Sequence, residues 1–316
     1  MRPRIALVGA RRARQGLGPF VARFLEAAGA DVVGFLGTGP ASLPATGEAL
    51  ASVLGHSVAG FHGLDALLAE TTPDALAILC PPEHHREYLE AACERGLHVL
   101  CEKPLVMQGR DAWGAVPGLL ERFEQRGLLL AENCQWPWVL PAFWSLFPEG
   151  SAEPIERFAM GLSPTGVGVQ MAIDSLSHPL SLLQALLPGP ARVEAIRVQG
   201  QAPSGPQTVE FAWERPQGSV ACRVELVDSP ERPRPAWIEI NGRRADRRIR
   251  EHDYALFFEG GDGLVPVPDP LRLHLGAFVH TLGAVLEGDP PPDLAAVRLR
   301  AALLHQLLQA FPAYTP

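Results

Sequence analysis

The chain has 316 residues, 47% of them hydrophobic and 20% charged, with a formal net charge of -8 and a pI near 5.7. That is the composition of a soluble globular protein with room for about two domains. The acidic balance excludes a generally nucleic-acid-binding surface, and no apolar run approaches the ~20 residues that cross a bilayer.

Taken in chain order, residues 1–134 alternate strand-like and helix-like segments. RIALVGA reads as a strand, GPFVARFLEAAGA as a helix, DVVGFLG as a strand, GEALASVLG as a short helix and SVAGF as a third strand. GLDALLAE is helical and DALAILC strand-like. PEHHREYLEAACERG follows as a helix, with Pro82 in its first turn, Glu83 at the positive end of its dipole and Gly96 as its stop. LHVLCE is the next strand, DAWGAVPGLLERFEQRG a helix interrupted by Pro117, and LLLAENC the last strand. Continuous apolar strands between amphipathic helices imply a parallel sheet covered on both faces, a Rossmann-type doubly wound α/β domain over residues 1–134.

Residues 135–316 have a different rhythm. An aromatic, Pro-rich passage (CQWPWVLPAFWSLFP) and a helix around SLLQALL lead into strand-like RVEAIRVQG, QTVEFAW, SVACRVELVD and AWIEINGRRADRRIR. Asn241-Gly242 between alternating segments predicts a hairpin. Two helices, over 271–288 and 293–311, end the pattern. Strands in succession and then helices predict an α+β domain with an open, mostly antiparallel sheet. The basic run Arg243–Arg250, RRADRRIR, reads as a solvated strand edge. Trp136, Trp138 and Trp144 read as core or, alternatively, as an apolar wall for a less polar substrate.

Cys80, Cys93, Cys101, Cys134 and Cys222 are an odd number without CxxC or zinc spacing. They are expected to be free thiols of a cytoplasmic protein with no metal site. The apolar run in MRPRIALVGARRARQ is too short for a signal peptide.

The first strand runs into VGARRARQGLGPF. A dinucleotide fingerprint places glycines at such a strand-to-helix turn, with the pyrophosphate on the helix N-terminus. Gly9 stands where the first glycine belongs, the next are Gly16 and Gly18, and the intervening loop carries Arg11, Arg12 and Arg14. The second strand ends with Gly37, Thr38 and, further on, Ser42, offering no carboxylate for the adenosine ribose; Asp31 lies at its opposite end. A missing carboxylate beside arginines points to a 2′-phosphate, hence NADP, with NAD left possible.

Lys103 is the sole lysine among 27 basic side chains, set between Glu102 and Pro104. An ammonium can release its proton where a guanidinium in a protein cannot. With AILCPPEHHREYLEAACERGLHVLCEKPL, the segment around Lys103 resembles the glucose–fructose oxidoreductase / inositol dehydrogenase (Gfo/Idh/MocA) family, whose pattern here is a strand ending in Pro, a His-containing helix start, a helix ending in Gly, and V-x-x-E-K-P. The resemblance implies a Rossmann domain followed by an open-sheet domain, and NAD(P)-dependent hydride transfer on sugars, polyols or related small molecules. It implies that Lys103 lies at the domain junction and binds the reacting oxygen, that Glu102 contacts the nicotinamide side of the cofactor, and that Pro81 and Pro82 pass close to the dinucleotide. His84 or His85 would reach a ribose, with His85 the chosen candidate; both read equally well as ordinary polar residues at a helix start. The family's Asp and His four residues apart correspond to Asp174 and His178 in GVGVQMAIDSLSHPLSLL. On one helix, residues i and i+4 share a face, and His178 suits general acid/base work. The segment departs from the family pattern at Leu176, where glycine is usual, at Pro179, and at Gln135 and Trp136, where an Arg often stands. A homodimer or homotetramer is the family expectation. The rival readings are a non-catalytic dinucleotide-binding sensor or partner subunit, and an enzyme that uses NAD transiently for elimination or hydrolysis.

Overall fold

Short apolar runs closed by turn residues become the strands of the first sheet. A computed structural model describes residues 1–11, 17–106, 112–200, 205–250, 252–312 and 314. Strands β1 (Arg4–Val8), β2 (Asp31–Leu36), β3 (Gly60–Phe61), β4 (Ala75–Ile78), β5 (His98–Cys101) and β6 (Leu130–Glu132) pair in parallel in the order β3-β2-β1-β4-β5-β6. Between them run helices α1 (Gly18–Ala27), α2 (Leu43–Leu54), α3 (Leu64–Thr71), α4 (His85–Glu94) and α5 (Ala112–Gln125). The strand order reverses between β1 and β4, which opens a crevice at the carboxyl ends of the strands. α5 continues through Pro117 rather than stopping there.

After β6 come α6 (Leu140–Leu146), β7 (Arg157–Leu162), α7 (Val169–Ser175), α8 (Ser177–Leu186) and then strands β8 (Arg192–Gln199), β9 (Gln207–Arg215), β10 (Gly218–Leu226), β11 (Ala236–Ile240), β12 (Arg243–Ile249), β13 (Leu256–Gly260) and β14 (Gly263–Val267), and β7 to β14 form the second sheet. Helices α9 (Pro270–Leu286) and α10 (Ala295–Gln309) follow. The sheet order is β14-β13-β12-β11-β7-β10-β9-β8, antiparallel at every pairing except β7 with β10. A Rossmann-like parallel sheet with helices and a separate, mostly antiparallel sheet agree with the expected fold class.

The chain divides into two compact units, Met1–Asn133 with Leu271–Arg298, and Cys134–Pro270 with Leu299–Pro316. A division at residue 134/135 therefore does not describe α9. Its Leu271, Leu275, Phe278, Val279 and Leu282 join Ile5 and Leu7 of β1, Val21 and Leu25 of α1 and Leu50 of α2 in one core. An amphipathic helix declares which of its faces is apolar but not which sheet that face will meet.

In the second unit, alternation turns one face of every central strand inward. Ala245, Ile238, Met160, Val224 and Val209 form a buried row across five neighbouring strands. Ile240 pairs with Arg243 around Asn241 and Gly242, whose φ values of 51° and 83° make the predicted two-residue hairpin turn. Asn241 also anchors the start of β7: its Oδ1 accepts the Glu156 and Arg157 N–H groups at 2.9 and 3.0 Å.

The run RRADRRIR is not a sheet edge. It forms β12, hydrogen-bonded on both sides by β11 and β13. Arg244, Asp246 and Arg248 project from the open face, where Arg244 pairs with Asp246 at 2.8 Å and Arg248 with Glu259 at 2.6 Å. Ala245 and Arg247 project from the inward face. Charge content marks a strand as solvated but does not locate it in the sheet order.

Candidate active site

The first unit gathers its candidate residues on the turns after β1, β2, β4, β5 and β6. Gly9 follows β1 with φ +83°, and a Cβ there would lie 2.6 Å from the Cys80 backbone. Only glycine allows that approach. Gly18, which opens α1, is as tightly placed: its Cβ would come within 2.0 Å of the Ala10 carbonyl oxygen. Gly18 does this packing at the helix start; Gly16, the expected second glycine, and Arg12 lie outside the described residues. Arg11 is described and exposed.

After β2, Thr38 is exposed, with its Oγ1 3.5 Å from Ser42 Oγ. No carboxylate stands at that strand end, and Asp31, at the start of β2, pairs with Arg2 at 3.0 Å. After β4, Pro81 is exposed and Pro82 half-buried at the start of a short 3-10 turn, Pro82–His84.

His85 is fully buried, although the sequence placed it among the cofactor contacts. Its Nδ1 lies 2.8 Å from the Pro104 carbonyl oxygen and its Nε2 2.9 Å from that of Cys80. Burial lowers its pKa against the two carbonyls, which favour the charged ring. The imidazole thus ties the turn after β4 to the turn after β5.

That second turn carries Glu102, Lys103 and Pro104, with a cis Lys103–Pro104 peptide bond. Glu102 N–H donates to Ile78 O at 2.9 Å, and Asn133 N–H to Cys101 O at 2.7 Å. Asn133 Nδ2 donates to Glu102 Oε1, fixing the carboxylate. Burial raises the pKa of Glu102, and Lys103 and the Asn133 hydrogen bond oppose that rise. Asn133 has no role in the sequence reading beyond its place directly after the last parallel strand, at the carboxyl end of the sheet.

Asp174 and His178 belong to the second unit, on two successive helices rather than one. α7 ends at Ser175 and α8 begins at Ser177, with Leu176 between them. Pro179 consequently falls in the first turn of α8, where its missing N–H has no helical partner to lose. From Met171 to Leu183 every residue is buried except Asp174 and His178. Asp174 and His178 are half-buried, the only two positions of this segment that keep solvent exposure. Trp136, which is buried, stands beside His178 with ring centroids 6.2 Å apart. Among the described residues no three His, Cys, Asp or Glu side chains converge as a cation site.

The dinucleotide expected in the first unit fits what is present. Gly9 and Gly18 clear the backbone approaches at the head of α1, and the strand order places them at the switch point.

Comparison with known proteins bears on both units. Residues 3–132 match a family model described as "Oxidoreductase family, NAD-binding Rossmann fold". UDP-N-acetylglucosamine 3-dehydrogenase of Acidithiobacillus ferrooxidans is 31% identical over 157 residues, 48% of this chain and 47% of that protein. D-xylose 1-dehydrogenase (NADP(+)) 2 of Haloferax volcanii is 46% identical over 88 residues, 28% of this chain and 26% of that protein. The chain thus matches less than half the length of either. The solved structure of the Acidithiobacillus ferrooxidans enzyme superposes with a TM-score of 0.70 at 23% identity, covering 99% of both chains. That likeness establishes the fold across both units.

Proposed function

We propose that this chain is a Gfo/Idh/MocA-type, NAD(P)-dependent sugar oxidoreductase, a reading supported by the match of residues 3–132 to the NAD-binding Rossmann model of that oxidoreductase family. It moves a hydride between nicotinamide and the carbinol or carbonyl carbon of a sugar, polyol or related small molecule. The observation that carries this reading is the Glu102–Lys103–Pro104 turn at the end of β5: the sole lysine stands at the carboxyl end of a central strand, next to a carboxylate held by Asn133. Relatives named as sugar dehydrogenases support the substrate class.

Gly9, Arg11, Arg12, Gly16, Thr38, Pro81, Pro82 and Glu102 would hold the dinucleotide, with Gly18 shaping the head of α1. The bound nicotinamide supplies the hydride acceptor or donor. Lys103 hydrogen-bonds the reacting substrate oxygen, where an ammonium stabilises developing negative charge. His178 takes the hydroxyl proton during oxidation and returns it during reduction, and Asp174 orients the sugar hydroxyls. His85 is a positioning residue, acting on Lys103 through the Pro104 carbonyl. The absent carboxylate at the end of β2 favours NADP over NAD. The open face of the second sheet, with Trp237 and Glu239 half-buried and Arg223 exposed, would serve a homodimer or homotetramer.

The test is a sugar and polyol panel assayed with NADPH and NADP⁺ alongside fluorescence titration of NADPH and NADH. Lys103→Met is expected to lower turnover roughly 10²- to 10⁴-fold while leaving NADPH affinity unchanged. Full turnover in that variant would remove Lys103 from the chemistry. Turnover of a substrate with no net change in reduced nicotinamide would replace the dehydrogenase reading with transient use of NAD.

A further inference from the structure

The inward face of β12 holds a cation where its neighbours hold apolar groups. Arg247 is two residues from the buried Ala245 on that face, and it pairs across the ladder with Phe258, which is 1% exposed. Its Nε is sealed from solvent and has no hydrogen-bond partner, while its Nη2 donates to the Arg234 carbonyl at 2.7 Å. The guanidinium lies 5.6 Å from the Trp136 ring centroid, and the Trp136 ring lies 6.2 Å from that of His178. Among the described residues no carboxylate comes within ion-pair distance of Arg247, whereas its neighbour Arg234 has Asp228 at 3.5 Å.

A buried guanidinium without a counter-ion is expensive. Stacking on Trp136 recovers only part of that cost. Burial pulls the Arg247 pKa down to about 10, and the group remains a cation at neutral pH. The residue as a whole keeps some solvent exposure, so a ligand can reach it.

We propose that Arg247 receives an oxyanion of the substrate, so that the sugar handled beside His178 carries a phosphate or a carboxylate. The assignment deepens the sugar-oxidoreductase reading and rests on it for the word substrate. Arg247 supplies the missing recognition: a planar guanidinium matches either anion through paired hydrogen bonds, and the buried Trp136 ring between Arg247 and His178 fixes their spacing.

The experiment is isothermal titration of the protein, in the presence of NADPH, with three probes: UDP-N-acetylglucosamine for a pyrophosphate, D-gluconate for a carboxylate and D-xylose as the neutral sugar. At least one anionic probe is expected to bind more tightly than D-xylose. Arg247→Met should weaken that probe about 10- to 100-fold and leave D-xylose unchanged, with Arg247→Lys in between. Loss confined to UDP-N-acetylglucosamine identifies the pyrophosphate, and loss confined to D-gluconate the carboxylate. Equal binding of all three probes by the unmodified protein overturns the assignment, as does an Arg247→Met variant that loses the neutral and charged probes alike. If circular dichroism shows that Arg247→Met does not fold, the unmodified protein decides: inorganic pyrophosphate or acetate must displace the tighter probe, and failure of both overturns the proposal. Turnover is measured separately. Anion binding that depends on Arg247, with no nicotinamide-linked turnover of any sugar, supports the oxyanion site and removes the oxidoreductase reading alone.

Discussion

In the first unit the groups expected to hold a dinucleotide sit on turns, each at the end of a parallel strand. In the second, the polar groups rise from regular elements: Arg247 from the middle of a strand, His178 from the first turn of a helix. The first arrangement is made by backbone, through the φ of +83° at Gly9 and the close approach at Gly18. The second is made by side chains placed against the local pattern, a charge on an apolar sheet face and two half-exposed polar groups in a buried helical segment. A backbone-made site is sensitive to a single methyl group. A side-chain-made site tolerates substitution structurally and changes its ligand.

That contrast can be broken or sharpened by experiment. The largest expected effect is at Leu275, which is 0% exposed in the core of the first unit. Leu275→Ala is expected to cost about 2–5 kcal/mol in urea denaturation, with NADPH affinity falling alongside stability. A loss below about 1 kcal/mol would mean that α9 is only loosely held by the first core. Next comes Gly9→Ala, where both the positive φ and the Cys80 backbone oppose a side chain. A destabilisation of roughly 1–3 kcal/mol is expected, with weakened NADPH fluorescence enhancement. Unchanged binding in that variant would show that the turn after β1 is not built by its glycine.

The smallest effect concerns pH. His56 Nε2 lies 2.8 Å from Glu26 Oε1, and hydrogen bonds to the Ser57 backbone and to Glu26 raise its pKa above the usual 6.5. A raised histidine pKa contributes stability that is complete below about 6.5 and is lost as pH climbs through the higher folded value. His56 is half exposed, so solvent screening holds the contribution to a few tenths of a kcal/mol. His56→Ala should therefore lower the melting temperature slightly at pH 5.5 and not at pH 9. An equal loss at both pH values would assign the effect to packing.

The same contrast explains what could be read from the sequence. Apolar runs closed by glycine or proline marked the parallel sheet, Asn241-Gly242 marked the hairpin of the second sheet, and the segment around Lys103 carried the resemblance to an oxidoreductase family, because each depends on neighbours along the chain. β7, β13 and β14 went unread: Gly161 interrupts Arg157–Leu162, Leu256–Gly260 runs into Gly260-Gly261, and Gly263–Val267 contains Pro266. The burial of His85 is decided by two carbonyls from different turns. The inward turn of Arg247 is decided by register, which arginines at four of the seven β12 positions conceal. The separation of Asp174 from His178 onto two helices falls at Leu176, where Pro179 has no N–H to bond the Ser175 carbonyl and continue the first helix.

The return of α9 to the first core also imposes an order on events during synthesis. Residues 1–133 leave the ribosome long before Leu271–Leu282, yet those later side chains complete the apolar layer over β1, α1 and α2. Until they emerge, the nascent first unit presents an unfinished hydrophobic surface while the whole second sheet is being made. The first unit, begun first, is therefore finished late, once α9 has been made.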